Sequence, residues 1–506
     1  MNPFKTNCSE QSWPAPAWPR LYWLLALAGL ASLAGLAAHY LVFSSYFDHG
    51  EPNVALRAWR VVQGQPAYSS PGAPDFLITL YGPMPYIWNA LWLKLTAGSI
   101  AFSKLGGISA ALIVLAAFAH HVWRNYGPAW LPFGLTLIAS GLLMGLPYTL
   151  WTRADPVTLM LACLGLVGAA EGRRLGHPLA SALALGLAAG LAMNVKAHAF
   201  IFLAPIAFGY VFTRWQIAWP LGALAALFAC FLPFAFPLFS LSLYVDGLRT
   251  AVNGHEVQMH LVLYSLKRML PLMAPLLLLP MAWRNLALNE RLYALFYGAC
   301  LLAGLYPASV SGSAWYQLVP FLPIWADLSL LLARKAFPSS PRFQSVPLLI
   351  LAVTALALGW PAERRLHRYI SERAWMSDAA QEIRNYLDGH PKERMEMGFG
   401  RDVAETYRTT FMKPMLAFAG MPTTLDGWSD METAYVGVPP SKSRRDYIAS
   451  CQTKYWLIPA GEPPFTMKSV FLNQDFLEYY REAFLESYAL EESGKYFDLW
   501  GCRKKS

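Results

Sequence analysis

Charge is what this chain is short of. Only 14% of its residues are Asp, Glu, Lys or Arg, against 56% apolar. Soluble domains carry roughly 45–50% apolar residues, so a 506-residue chain with this balance is excluded from the ordinary soluble enzymes and reads as a polytopic membrane protein. Cysteine is also sparse. Of the six, Cys8 lies in the N-terminal tail, Cys163, Cys230 and Cys300 within apolar runs, and Cys451 and Cys502 in the polar C-terminal part. None has the spacing of a metal knuckle or a redox pair. No internal repeat or low-complexity tract is present, and the inverted repeat that many secondary transporters show is not visible.

The net charge of +9 suggests nucleic acid until the basic residues are placed. Most of those in the first 345 residues fall in short loops on alternate sides of apolar runs, where they set orientation, and nothing points to a nucleic-acid partner. The first run, Leu21 to Phe43, is long enough for a hydrocarbon core of roughly 30 Å. Small residues near Ala37 resemble a signal-peptide cleavage site, but the run exceeds a usual signal core and reads as an uncleaved helix. Ten further spans are expected near 103–122, 129–147, 156–170, 179–194, 198–213, 216–236, 266–283, 292–308, 317–333 and 344–361, eleven in all. Arg124, Arg173, Arg174, Arg214, Arg284, Arg291, Arg334, Lys335 and Arg342 then share one side, expected to be cytoplasmic. This puts the tail 1–20 inside, and the loop after the first helix outside together with everything beyond Pro361.

That first outer loop reads Tyr46-Phe47-Asp48-His49-Gly50-Glu51-Pro52. Two acids at a membrane helix exit are unusual, because aromatic or cationic residues normally stand there. An amphipathic interfacial helix follows, with Val54, Ala58, Val61 and Val62 on one face and Asn53, Arg57 and Arg60 on the other, ending at Gly64-Gln65-Pro66. Ile87 to Leu95 looks like a second helix lying in the interface. Other outer loops add Arg153 with Asp155, Lys196, and a long segment containing Asn253, His255 and Glu256. Ionisable groups at membrane depth are expensive and mark sites facing protein or water. The acids Asp48 and Glu51 are candidate bases. Arg57, Arg60, Lys94, Arg153, Lys196, Arg249, Lys267 and Arg268 are candidate ligands for a phosphate. Arg57 and Arg60 could instead anchor lipid headgroups, Lys267 and Arg268 could snorkel, and Arg153 could pair with Asp155. No cofactor is specified. A divalent cation is compatible with this chemistry without being called for, and His255 beside Glu256 reads as a loop histidine ahead of a metal ligand.

Five stretches together resemble the GT-C superfamily of integral membrane glycosyltransferases, which includes the lipid A aminoarabinose transferases and protein O-mannosyltransferases. They are the carboxylate pair; Gly64-Gln65-Pro66-Ala67-Tyr68; Tyr81-Gly82-Pro83-Met84-Pro85-Tyr86; Arg153-Ala154-Asp155; and Gly312-Ser313-Ala314-Trp315-Tyr316 before Leu318-Val319-Pro320-Phe321-Leu322-Pro323. The resemblance covers residues 20–335. It implies an inverting transferase taking a sugar from a polyprenyl-phosphate donor to a glycan, lipid or protein acceptor on the outer face of the inner (plasma) membrane, among membrane lipids. Asp48, Glu51 and Asp155 would be catalytic, and Arg57, Arg60, Tyr81, Arg153, Lys196, Asn253, His255 and Glu256 would bind substrate. The family's acids are adjacent. Counting back from Gly64, Glu51 falls on the Glu position but Gly50 on the Asp position, with Asp48 two places earlier, so the choice of base is open. The Lys that often precedes the Pro-rich stretch in aminoarabinose transferases is replaced by Tyr81-Gly82, which argues against the same donor sugar. The competing expectation is a transporter or flippase for a lipid-linked or anionic substrate. The absence of acidic or basic side chains from runs such as 129–147 and 292–308 counts against it.

From Ala362 the composition turns polar, and residues 362–506 are expected to form an extracytoplasmic α/β or α+β domain. Strands are expected at Arg394 to Phe399 and Tyr455 to Ile458, and helices at Ser377 to Leu387 and Asp475 to Tyr488. Its only cysteines, Cys451 and Cys502, each flank a strand-like stretch. In an oxidising compartment they are expected to form a disulfide.

Overall fold

The computed structural model describes residues 17–70, 72–77, 80–96, 98–211, 215–252, 255–401, 406–467 and 478–503. Among them eight helices are long and apolar enough to cross a membrane. The expected runs at 129–147 and 198–213 form the shorter apolar helices Pro128–Met144 and Phe200–Val211, and that at 292–308 forms the helix Leu288–Ala303, so length and composition alone identify eight of the eleven expected spans. The chain is a multi-pass helical membrane protein with a small C-terminal sheet domain. Leucines such as Leu277, 79% exposed, face outward from the bundle, as a lipid-facing surface requires.

Helix α1 (Pro19–Val42) opens with a proline, whose missing N–H costs nothing in a first turn. The Lys104 ammonium, just before the helix Leu105–Tyr126, stops α1 at its other end by donating to Tyr40 O at 2.7 Å and Phe43 O at 2.6 Å. The interfacial pair expected from the sequence is present as α2 (Gly50–Val62) and α3 (Met84–Thr96), packed through Ala58, Ala90 and Leu93. At 13 residues each, neither can span the hydrocarbon. The bundle continues with α4 (Leu105–Tyr126), α5 (Leu131–Met144), α6 (Ala154–Arg174), α7 (Pro178–Val195), α8 (Phe200–Ile206) and α9 (Trp215–Phe231). Helices α7 and α9 touch along small residues: a Cβ on Gly186 would sit 2.1 Å from Gly222 O, and one on Gly190 2.1 Å from Ala226 O. Only glycine permits that approach, the usual device where no hydrophobic force drives helices together. Then come α10 (Leu241–Val252), α11 (Met259–Met273), α12 (Leu288–Ala303), α13 (Leu322–Ala336), α14 (Pro341–Ser371) and α15 (Arg373–Gly389). The long α14 runs on past residue 361 without a break.

The bundle interior holds one polar hub the sequence reading did not foresee. Asp327 on α13, fully buried, accepts from His121 Nε2 at 2.7 Å, Tyr126 OH at 2.8 Å, Tyr293 OH at 2.9 Å and Tyr210 OH at 3.1 Å. These donors come from α4, α12 and the turn after α8, so one carboxylate ties four elements.

In the C-terminal domain, β1 (Met395–Met397), β2 (Tyr455–Pro459), β3 (Tyr488–Glu492) and β4 (Phe497–Cys502) form a sheet in the order β1-β2-β4-β3. Strands β1 and β2 are parallel and the other pairings antiparallel. The expected last helix is observed over Glu478–Ser487, its first positions 475–477 lie outside the described residues, and Tyr488 already belongs to β3. Trp456, Phe465, Phe484 and Tyr488 fill the core beside the sheet. Cys451 and Cys502 are bonded, with Cα atoms 5.9 Å apart, as expected.

Candidate active site

Asp48 Oδ1 accepts from Gly50 N at 2.8 Å, the side-chain turn typical of Asp, and this folds the loop into the start of α2. Phe47 then packs on Tyr40, Phe43 and Trp151. Glu51, one turn on, points inward and is 0% exposed. Its Oε1 accepts from Phe47 N at 2.8 Å and Asp48 N at 3.1 Å; its Oε2 accepts from Thr152 N at 3.2 Å and from the Tyr40 hydroxyl. All its lone pairs are used to hold α1, the first loop and the second loop together. Burial pushes its carboxyl above the usual range.

Asp48 faces the other way, with its side chain 16% exposed. Its Oδ1 lies 2.7 Å from Arg153 Nη1. Arg153 Nε lies 3.5 Å from Asp155 Oδ2, and Asp155 Oδ1 is 2.6 Å from Lys196 Nζ, which also donates to Gln317 Oε1 at 2.7 Å. The structure therefore brings together Asp48, Arg153, Asp155 and Lys196 from three separate loops, with charges that alternate and cancel. Aromatic faces close the cluster. Arg153 sits 4.9 Å from the Tyr316 ring centroid and 5.9 Å from that of Tyr148; Lys196 lies 5.3 Å from that of Tyr316. Tyr81 is in the same cluster, its hydroxyl accepting from Arg153 Nη2 at 3.4 Å, and burial pushes its phenol up to about 12. Burial disfavours ionisation of Asp48 too, but the Arg153 guanidinium, His49 and the Gly50 N–H together outweigh it and hold the carboxyl below its usual range.

The remaining candidates stand apart. Arg57 is buried, donates to Ala67 O at 2.6 Å and to Leu77 O, and lies 5.6 Å from the ring centroids of both Tyr68 and Tyr86, so it shapes the loop between α2 and α3. Arg60 Nη2 pairs with Asp75 Oδ2 at 2.6 Å. His255 Nε2 pairs with Glu432 Oε2 at 2.8 Å, while the neighbouring Glu256 is exposed. Lys94, Arg249 and Lys267 are exposed, and Arg268 donates to Leu358 O at 3.1 Å. Asn253 lies outside the described residues. Among the described residues no group of three or more His, Cys, Asp or Glu side chains is placed to hold a metal ion. The sequence reading missed Gln317, Tyr148 and Lys104. A lone lysine heading an apolar run was the available signal for the last.

ArnT from Cupriavidus metallidurans bound to undecaprenyl phosphate has a TM-score of 0.56 and 13% identity, over 94% of this chain and 97% of that one. Its apo state gives the same values. The chain has the GT-C fold. The arabinosyltransferase EmbB from Mycobacterium smegmatis is similar at a TM-score of 0.42 and 14% identity, over 84% of this chain and 43% of that one. No family model matches the chain, and no curated protein matches it in sequence. At these identities the GT-C likeness concerns the fold alone.

Proposed function

We propose that this chain is an inverting glycosyltransferase that moves a sugar from a polyprenyl-phosphate donor to a glycan, lipid or protein acceptor on the outer face of the membrane. Asp48 acts as base, and Arg153 and Lys196 receive the phosphate. The observation that carries this reading is the 2.7 Å pair between Asp48 and Arg153 in a cluster where acids and cations cancel. An incoming phosphate competes with Asp48 for the Arg153 guanidinium. As Arg153 turns to the phosphate, Asp48 loses the charge that held its carboxyl down and becomes a stronger base where the acceptor must sit. The acceptor O–H gives its proton to Asp48 and its oxygen attacks C1 of the sugar. The bond from C1 to the phosphate oxygen breaks from the opposite face, and its electron pair leaves with the polyprenyl phosphate. Arg153 and Lys196 stabilise that leaving charge, so no general acid is needed. Asp155 holds both cations in place, and Glu51 braces the loop. That ArnT, which has the same fold, was solved with undecaprenyl phosphate supports a polyprenyl phosphate as the lipid.

The test uses the full chain in lipid nanodiscs with polyprenyl-phosphate sugars. Transfer is expected from at least one donor, with inversion at C1. Asp48→Asn is expected to cost about 10² to 10⁴ in rate with the protein still monodisperse. Glu51→Gln places an amide N–H against Thr152 N or Phe47 N, so its loss of rate should come with a lower thermal midpoint. Full activity in Asp48→Asn rejects Asp48 as base; no transfer from any donor rejects the reading.

A further inference from the structure

One contact between the C-terminal domain and the membrane bundle runs through a short helix, α16 (Gly427–Tyr435). At its start Asp426 caps the helix, accepting from Ser429 N at 3.0 Å, and the same Oδ2 accepts from Asn53 Nδ2 on α2 at 3.0 Å. Near its end, Glu432 Oε2 lies 2.8 Å from His255 Nε2, and His255 Nδ1 lies 2.8 Å from Ser311 Oγ. With Nε2–H given to Glu432, Nδ1 is left to accept the serine hydroxyl, so one neutral tautomer satisfies both bonds. The Tyr435 ring packs on His255 at 5.1 Å between centroids. Glu432 is 6% and Ser311 5% exposed, so the contacts are desolvated and strong.

Ser311 belongs to a two-rung ribbon, with Ser311 N donating to Glu256 O at 2.9 Å and Gln258 N to Ser309 O at 2.9 Å. Beyond it the backbone turns at Gly312, φ 77°, where a Cβ would lie 3.5 Å from His255 Cε1 and 3.8 Å from Glu432 Oε1. The chain then enters the turn of helix Trp315–Phe321. Ser313 Oγ accepts from Gln317 Nε2 at 3.1 Å, and Gln317 Oε1 takes the Lys196 ammonium. A hydrogen-bonded path thus runs from Glu432 through His255 and Ser311 to the segment bearing Tyr316 and Gln317, both against the cations of the candidate site. A serine, a histidine and a carboxylate in this order also make a nucleophilic triad. Here the serine is buried beneath the C-terminal domain, with Tyr435 OH 3.5 Å from its hydroxyl, and a substrate has no approach to it.

We infer that Glu432 is a positioning residue for the proposed transfer. Through His255 and Ser311 it holds the 312–317 turn so that Tyr316 and Gln317 keep Arg153 and Lys196 aimed at the donor phosphate. The C-terminal domain is thereby part of the working site, gripping α2 at one end of α16 and the ribbon at the other. This inference rests on the proposed reading of the cluster, and the experiment separates the two.

Full-length wild type, Glu432→Ala and Glu432→Gln would be compared in nanodiscs by hydrogen–deuterium exchange over residues 309–317 and by affinity for undecaprenyl phosphate. Where transfer is measurable, KM for the donor would be read against kcat. Glu432→Ala is expected to speed exchange over 309–317 and to weaken lipid-phosphate binding about tenfold or more, raising KM more than it lowers kcat. Glu432→Gln keeps an acceptor for His255 Nε2–H and is expected to restore both. Unchanged exchange and affinity in Glu432→Ala overturn the inference. So do equal losses in both variants that track a fall in thermal midpoint, which mark a packing role only. If exchange responds as expected but the wild type binds no undecaprenyl phosphate, the functional reading falls and the coupling of Glu432 to the turn stands.

Discussion

Asp48 and Glu51 start from nearly the same chemistry, and their surroundings separate them. Four donors and full burial leave Glu51 no lone pair for a substrate, whereas Asp48 keeps an exposed edge and one competing cation. The difference is measurable through pH. Because Arg153 holds the folded carboxyl of Asp48 below its ordinary 3.8, the pair stabilises the protein above that pH, and this contribution is lost as pH falls through the folded value. The thermal midpoint of wild type is therefore expected to exceed that of Asp48→Asn at neutral pH, with the gap closing below 3.8. A gap that widens on acidification would mean that the ion pair is not what holds Asp48.

Single elements show how the bundle accepts polar groups at depth. Lys104 is tolerated at the head of α4 because it closes the open carbonyls of α1. Asp327, further down α13, is tolerated because four donors meet it. Asp327→Ala would leave His121 and three phenols without their shared acceptor and is expected to lower stability by about 3–5 kcal/mol, read as a fall in the thermal midpoint of the purified protein. Asp327→Asn, which still offers a carbonyl, should lose less. An Ala variant as stable as wild type would show that the hub does not tie the bundle. The hub lies roughly 17 Å along the chain from Gln317, at about 2.0 Å per residue through the 3-10 helix Trp315–Phe321 and 1.5 Å through α13, so lipid-phosphate affinity per folded molecule should be unaffected.

For the molecule as a whole, the decisive question is which side the C-terminal domain occupies. The positive-inside expectation puts it outside, and the Cys451–Cys502 bond suits an oxidising compartment. A reporter active only in the cytoplasm is expected to be silent when fused after Ser506 and active after Arg174; the reverse would put the site on the cytoplasmic face. With the bond closing a separation of 51 residues, the double Cys→Ser variant is expected to lose about 2–4 kcal/mol from the C-terminal domain, measured as faster exchange in β2 and β4. The domain also meets the loop between α2 and α3, where Arg444 Nε donates to Pro74 O at 3.0 Å, and Trp59 Nε1 on α2 donates to Ala417 O at 2.8 Å.

Composition and hydrophobic run length were enough to show a multi-pass helical chain, the interfacial pair α2 and α3 and two of the four strands of the C-terminal sheet, because each follows from local period and from the cost of putting charge in lipid. Arg153, Asp155 and Lys196 were legible for the same reason, since charges at membrane depth stand out in a run of letters. The tertiary structure decided which partners those charges meet. Arg57 and Arg60 carry the same signal as Arg153, yet their partners are loop carbonyls and Asp75, and no spacing in the sequence distinguishes the three. Asp426 and Glu432 lie more than 370 residues from the partners Asn53 and 170 from His255 that give them meaning. Partner choice at such separations depends on how whole elements pack, so one chain read in order shows which groups are costly to bury but not which group each of them meets.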